Sequence, residues 1–365
     1  MKTPDIKKHE PLFHVVKRDA LPWHKAMLIR VLAVVAALLF VSLLSMVLIK
    51  ADPIEFLTTL FEGSFASSRR LWKFAKDSAV LLCIALAITP AFRMRFWNIG
   101  AEGQTLIGAL AAVAVMVYLG DKVSNGVLLL LMFIAAVAVG ALWGFIPAVF
   151  KAKWNTNETL FTLMMNYIAT GLVAYFLLLW TPSGSSVLGE LKVGHLPKIG
   201  HDYLLLIVAV LVLCVLEYVY LQYTKQGYEI SVVGESENTA RYIGISVNKV
   251  IVRTMLISGA ICGVAGFLIV GALDHSIAET TVGGMGFTAI MVSWMAKFNP
   301  LVMIGTSAFI VFLQQGASQI TTNFNIDSAF PNMVVGIVLF FVIGCEFFIG
   351  YTLKFRESHK KGGAA

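Results

Sequence analysis

Apolar residues in this chain come in long blocks, one after another, and few folds accept that pattern. A helix needs about 20 residues to cross the hydrocarbon core of a bilayer. Ten such blocks are predicted, at residues 27–49, 78–93, 104–119, 127–149, 159–180, 203–222, 251–273, 284–297, 301–320 and 333–353. Only 13% of the 365 residues are charged while 58% are hydrophobic, against about 25% charged in ordinary soluble domains. A soluble helical protein would alternate apolar and polar faces at the helical period. These blocks are apolar all round, so the expected class is an all-α polytopic membrane protein. The four cysteines, Cys83, Cys214, Cys262 and Cys345, sit singly inside apolar blocks. They read as small buried hydrophobes, with no metal-type spacing.

Positive charge sets the expected orientation, because Lys and Arg collect on the cytoplasmic side. With the N-terminus inside, most of the 28 Lys and Arg lie in cytoplasmic segments. Ten crossings then leave both termini in the cytoplasm. The first 25 residues are polar and basic, and the apolar run after them is too long for a signal-peptide core. The expected layout is a tail at 1–26, a membrane domain at 27–353 with an inner loop at 223–249, and a tail at 354–365. The outer cluster around Arg69 runs against the rule, offset by Asp52, Glu55, Glu62 and Asp77. The net charge of +7 follows from this topology, and no nucleic-acid partner is expected.

Polar residues interrupt the blocks at one place above all: Trp97-Asn98-Ile99-Gly100-Ala101-Glu102-Gly103-Gln104. Polar groups at membrane depth are costly and tend to face a cavity or pathway. Irregular backbone there is tolerated only under cover of protein or water. The eighth block contains Gly283-Gly284-Met285-Gly286 and ends at Asn299-Pro300. The second, third and eighth blocks are short, and short Gly-interrupted segments in matching halves point to a binding site. If blocks two to five correspond to seven to ten, the odd offset gives inverted repeats.

The inner loop contains Ser236, placed to cap a short helix, with Glu235 and Glu237 favouring its N-terminal end. Ala240 and Ile243 are expected on one face, and Gly244 ends the helix. Such a helix suits docking into a partner's groove; the plainer reading is a solvated connector.

Three stretches together resemble one family. They are Phe96 to Gln104, Asn157-Glu158-Thr159-Leu160 through Met165-Asn166-Tyr167, and Gly234-Glu235-Ser236 through Ala240-Arg241-Tyr242-Ile243-Gly244-Ile245. The chain resembles the membrane-spanning permease of ATP-binding-cassette importers, in the branch that carries nucleosides and simple sugars and is related to ribose, galactose and branched-chain amino-acid permeases. The resemblance implies a pair of permease subunits, two ATPase subunits on the cytoplasmic loops and an outer substrate-binding protein, commonly a lipoprotein. It also implies a coupling helix at Gly234, Glu235, Ser236, Asn238, Ala240, Arg241, Tyr242, Ile243 and Gly244. Trp97, Met285 and Trp294 to Lys297 depart from the residues common in the family, which bears on the substrate.

No GxxxxGK[ST] loop occurs, so this chain holds no ATP by that route and no cofactor of its own is expected. Hydrolysis falls to a partner, and the chain is expected not to be an enzyme. Candidates for the substrate pathway are Phe96, Trp97, Asn98, Glu102, Gln104, Glu158 and Asn166. For the polar groups the competing reading is an internal network supporting the break, with Glu102 accepting freed backbone N–H groups. Phe96 and Trp97 are weighed as stacking surfaces for a base or sugar against core or lipid packing. Glu158 and Asn166 are weighed as an inner gate against capping and interhelical bonding. Asp274, His275 and Glu279 are weighed as contacts for the binding protein against a solvated loop. The expected function is nucleoside import by alternating access. The alternatives are sugar import by the same architecture, an ion-coupled secondary transporter or a passive channel. An ion-coupled carrier asks for deep carboxylates, and Glu102 alone is expected at depth, with Glu158, Glu217 and Glu346 near block ends.

Overall fold

The computed structural model describes residues 13–18, 21–181, 185–327 and 329–355. Among them, nine helices are long and apolar enough to cross a membrane, and a tenth apolar helix is short. The chain is an all-α polytopic membrane protein. The helices are α1 (Trp23–Ile49), α2 (Pro53–Phe65), α3 (Ser68–Arg93), α4 (Ala101–Leu119), α5 (Asn125–Trp154), α6 (Glu158–Trp180) and α7 (Leu204–Tyr223). Then follow α8 (Lys225–Glu235), α9 (Glu237–Tyr242), α10 (Val247–Ile269), α11 (Met285–Met295), α12 (Pro300–Phe324) and α13 (Phe330–Gly350). A π-helical turn, Val270–Asp274, extends α10. Two strands, β1 (Phe13–Lys17) and β2 (Tyr351–Phe355), flank the bundle in sequence.

Residues group into two compact units, one of 1–63 with 313–365 and one of 64–312. In the first, α1 packs on α13, with Phe40 against Phe341 at 5.6 Å between ring centroids and Arg30 Nε 2.6 Å from Glu346 Oε1. Strand β1 pairs antiparallel with β2, Lys17 opposite Tyr351. This pairing holds the start of α1 and the end of α13 side by side. The expected tail 1–26 thus contains a strand and the first turn of α1. The last block ends at Gly350 rather than 353, because Tyr351 has left the helix for extended backbone.

In the second unit α10 is the central helix, packed on α5, α4 and α3. Glycines bring these backbones together. A Cβ on Gly140 would lie 2.5 Å from the Gly259 carbonyl oxygen, and one on Gly108 would lie 2.7 Å from Gly263 Cα. Lipid supplies no hydrophobic drive between helices, so close packing through small residues is the main cohesive force. All residues of α3 from Ala79 to Phe92 are buried.

Three expectations change. Helix α2 lies where an outer loop was expected. Helix α3 begins ten residues before position 78, because Arg69, Arg70, Lys73, Lys76 and Asp77 make its first turns polar without ending the helix. The eighth block forms α11, only 11 residues long, about 16 Å at 1.5 Å per residue and too short to cross as helix alone.

Candidate pathway and coupling site

Helix α3 ends in a turn that its own carbonyls hold. Arg95 is left-handed (φ 61°), its N–H donates to the Phe92 carbonyl at 2.9 Å, and the Phe96 N–H donates to the Ala91 carbonyl at 2.9 Å. This pair of bonds closes the last turn and reverses the chain. Phe96 then points inward and packs with Ala91, Met94, Ile230, Val233 and Ala240. It is core, and no stacking face is offered by it. Trp97 points outward, 44% exposed, stacked on Trp294 at 5.5 Å with its edge toward Phe92 at 5.7 Å. Phe298 completes the cluster against Phe92 and Trp294.

The polar residues that follow are consumed by one another. Asn98 is fully buried and Gln104 is 1% exposed. Their amides pair reciprocally: Asn98 Nδ2 donates to Gln104 Oε1 and Gln104 Nε2 donates to Asn98 Oδ1, each at 3.3 Å. Asn98 Oδ1 also accepts the Gly100 N–H at 3.0 Å, and its Nδ2 donates to Ser258 Oγ on α10 at 3.3 Å. Helix α4 starts at Ala101 with no cap from its own sequence, so its orphan N–H groups need other partners. Helix α6 supplies one: Asn166 Oδ1 accepts the Gly103 N–H at 2.9 Å while Asn166 Nδ2 donates to the Ile99 carbonyl at 2.9 Å. Thr162, one turn earlier, accepts the Ile99 N–H at 3.1 Å. Gly103 permits this approach, since a Cβ there would lie 2.9 Å from Asn166 Cα.

Glu102 ties this break to a second one. Its Oε1 accepts the Gly284 N–H at 2.8 Å and its Oε2 the Gly286 N–H at 2.7 Å. Gly284 is left-handed (φ 79°) and precedes the first turn of α11. One carboxylate therefore lies in the first turn of α4 and caps α11, favourable for both helix dipoles. The freed N–H groups that it accepts belong to α11 and not to its own helix. Gly286 has to be glycine, because a Cβ there would lie 2.7 Å from Glu102 Cα.

Of the expected pathway residues, the structure thus joins Asn98, Glu102, Gln104 and Asn166 in one framework, with Trp97 at its edge. Glu158 lies apart. Its Oε2 pairs with Lys151 Nζ at 2.9 Å, linking α5 to α6, while Asn157 caps α6 by accepting the Leu160 N–H at 3.1 Å. Sequence reasoning missed Ser258 and Thr162, and singled out Trp294 without its stacking on Trp97, because each meets the break across a long stretch of chain. Glu217 lies near the end of α7, as its place in the block implies. That carboxylate is nonetheless 4% exposed, and neither oxygen has a hydrogen-bond partner among the described residues.

The inner loop folds into helices. Thr224 caps α8 by accepting the Gly227 N–H at 3.1 Å. Ser236 ends α8 and caps α9, accepting the Thr239 N–H at 3.2 Å. Gly244 (φ 84°) ends α9, with the Ile245 N–H returning to the Ala240 carbonyl at 2.9 Å. Ala240 and Ile243 do not share an outer face. Ala240 is wholly buried in the cluster around Phe96, while Tyr242 is 92% and Ile243 55% exposed. Glu235, Asn238 and the Glu237–Arg241 pair (3.4 Å) are exposed beside them. Gly234 is buried against the end of α3, where a Cβ would collide with the Arg93 carbonyl oxygen. Glu229 on α8 pairs with Arg253 on α10 at 3.0 Å.

At the far end of α10, the segment 187–196 is laced to 271–278. The amides of Leu188, Leu191 and Leu196 donate to the carbonyls of Ile277, His275 and Gly271, each at 2.9 Å. The His275 ring stacks on His195 at 3.7 Å between centroids. Burial, then the neighbouring His195, pushes the His275 pKa down. Asp274 and Glu279 are exposed.

Known proteins are similar to this chain over most of its length. The chain is 29% identical over 340 residues to a glucose ABC transporter permease of Haloferax volcanii, covering 88% of each chain. It is 28% identical over 320 residues to a guanosine ABC transporter permease of Bacillus subtilis, covering 84% of this chain and 89% of that one. It is 24% identical over 359 residues to a nucleoside ABC transporter permease of Lactococcus lactis, covering 92% and 98%. Residues 71–343, which include both breaks and the α8–α9 segment, match a family defined as the permease component of the branched-chain amino acid transport system. The chain belongs to that family of membrane permeases.

Proposed function

We propose that this chain is the membrane-spanning subunit of an ATP-driven importer and moves nucleosides inward by alternating access. Hydrolysis falls to ATPase subunits docked on α9, and this chain binds no ATP and performs no covalent chemistry. The observation that carries the reading is the seat of Gly234 on Arg93. Helix α9 presents Tyr242 and Ile243 outward, and its buried side, through Ala240, packs with Met94 and Phe96. A push on α9 therefore reaches the turn that leads into Asn98 and the framework. The polar framework shapes the break, and Trp97 and Trp294 offer aromatic faces on which a base can stack, worth about 1–3 kcal/mol per base.

The guanosine and nucleoside relatives support the nucleoside assignment. A simple sugar is the second reading, favoured by the Haloferax glucose relative. The further partners in this reading are a second permease subunit, the same or different, and an outer substrate-binding lipoprotein met near Asp274 and Glu279. Both termini lie in the cytoplasm of a cell whose plasma membrane holds the complex.

The test is uptake by proteoliposomes holding the chain, its paired permease and ATPase, fed by the binding protein. Labelled guanosine should accumulate with ATP and not without it. Accumulation of glucose or ribose alone would move the substrate to the sugar reading. Uptake driven by an ion gradient without ATP would overturn the importer assignment.

A further inference from the structure

Helices α5 and α10 pack tightly through Gly140, Gly144, Gly259 and Gly263. The last of these close approaches is that of Gly144 to the Met255 carbonyl. A groove of about 420 Å³ opens there, at the end of α5 and the start of α10. Its floor is apolar: Val149, Ala152, Val252 and Leu256. Its rim carries Lys153, Lys249 and Arg253. Arg253 is engaged with Glu229, whereas neither lysine meets a carboxylate among the described residues.

The level of the groove in the bilayer is marked beside it. Trp154 ends α5, 62% exposed, with Phe150 against its ring at 5.0 Å and Lys153 Nζ 5.9 Å from its centroid. Tryptophan and lysine at the end of an apolar helix sit at the headgroup layer. An apolar slot with a cationic rim at that depth matches a lipid with an anionic headgroup. The chain lies along the floor and the phosphate meets the rim. We propose that this groove is a binding site for an anionic phospholipid, with Lys153 and Lys249 holding its headgroup. The inference rests on the membrane-spanning fold and is independent of the substrate carried.

The test is native mass spectrometry of the full-length chain in mild detergent, titrated with phosphatidylglycerol and with phosphatidylcholine of the same acyl chains. Phosphatidylglycerol should be retained preferentially. Replacing both lysines, K153Q with K249Q, should weaken that retention about thirtyfold, from two headgroup cations each removed. Ala152→Phe, which fills the floor and leaves the charge unchanged, should also reduce it. Equal retention of the two lipids, or retention unchanged in both variants, would overturn the proposal. Displacement by inorganic phosphate would reassign the rim to a free anion. A photocrosslinker at position 248 in the membrane-embedded assembly should yield lipid adducts; adducts to a protein subunit would show that a neighbour, and not lipid, covers the groove.

Discussion

The turn from Asn98 to Gln104 and the segment from Glu237 to Gly244 are both polar stretches that join helices. They differ in where their polar atoms go. In the first, Asn98 and Gln104 are buried and bonded to each other, to α10 and to neighbouring backbone. In the second, the helix is capped at both ends, and Asn238, Arg241, Tyr242 and Ile243 are exposed. The first region has spent its hydrogen-bonding capacity on the fold. The second has kept its side chains for something else. Mutations should therefore separate the two, with stability responding in the first and coupling in the second.

The largest effect is expected at Glu102. Glu102→Ala leaves the Gly284 and Gly286 amides without acceptors at a helix start, a loss of roughly 3 kcal/mol or more. Detergent-solubilised protein should lose its monodisperse peak on a fluorescence-detected sizing column at temperatures the parent withstands. If Glu102→Ala were as stable as the parent yet inactive, the carboxylate would belong to transport and the contrast would fail. Next comes Tyr242→Ala combined with Ile243→Asp. Exposed positions change stability by about 0.5 kcal/mol or less, so the melting temperature should hold. ATP-driven uptake should fall at least about tenfold, and the ATPase should no longer co-purify. Intact uptake would remove α9 from the coupling role. Asn98→Ala ranks third, with a cost of about 2 kcal/mol from the unpaired Gln104 amide and Ser258. A shift in substrate preference at unchanged stability would show that Asn98 reads cargo.

What the sequence revealed divides along the same line. The caps at Ser236 and Asn157 and the stop at Gly244 are legible, because each bond spans a few residues of one segment. The break at Asn98 is legible as a break, since glycines and amides interrupt an apolar run. Its partners are not: Ser258 lies 160 residues away and Gly284 lies 182 residues from Glu102. No local pattern encodes such a meeting. Helix α2 and the first turns of α3 are hidden for another reason. Hydropathy marks where lipid begins, and a helix can continue past that point on charged residues. The burial of Glu217 is not legible, because distance from a helix end says little about burial when another helix covers it. The inward face of Ala240 shows the same limit, since helical spacing groups residues without saying which side the protein occupies.

The smallest effect tests the far end of α10, which belongs to neither region. His275 is held neutral by burial and by the stacked His195, with Glu190 pulling the other way and Lys198 adding to the push. Its folded pKa lies below its unfolded one, so the unfolded segment binds a proton more readily. Stability from this ring is therefore complete above the unfolded value of about 6.5 and is lost as pH falls through the folded value. The lacing of 187–196 to 271–278 should loosen on acidification, because a charged His275 would face His195 at 3.7 Å. Corrected for the slower intrinsic exchange at low pH, the protection of the Leu188, Leu191 and Leu196 amides should fall between pH 7.5 and 5.5. His275→Asn should flatten that dependence while protection in α4 stays unchanged. An equal loss of protection in the variant would place the sensitivity elsewhere. A loss reaching α4 would mean that the framework around Asn98 is softer than its bonds imply, and the contrast with α9 would narrow.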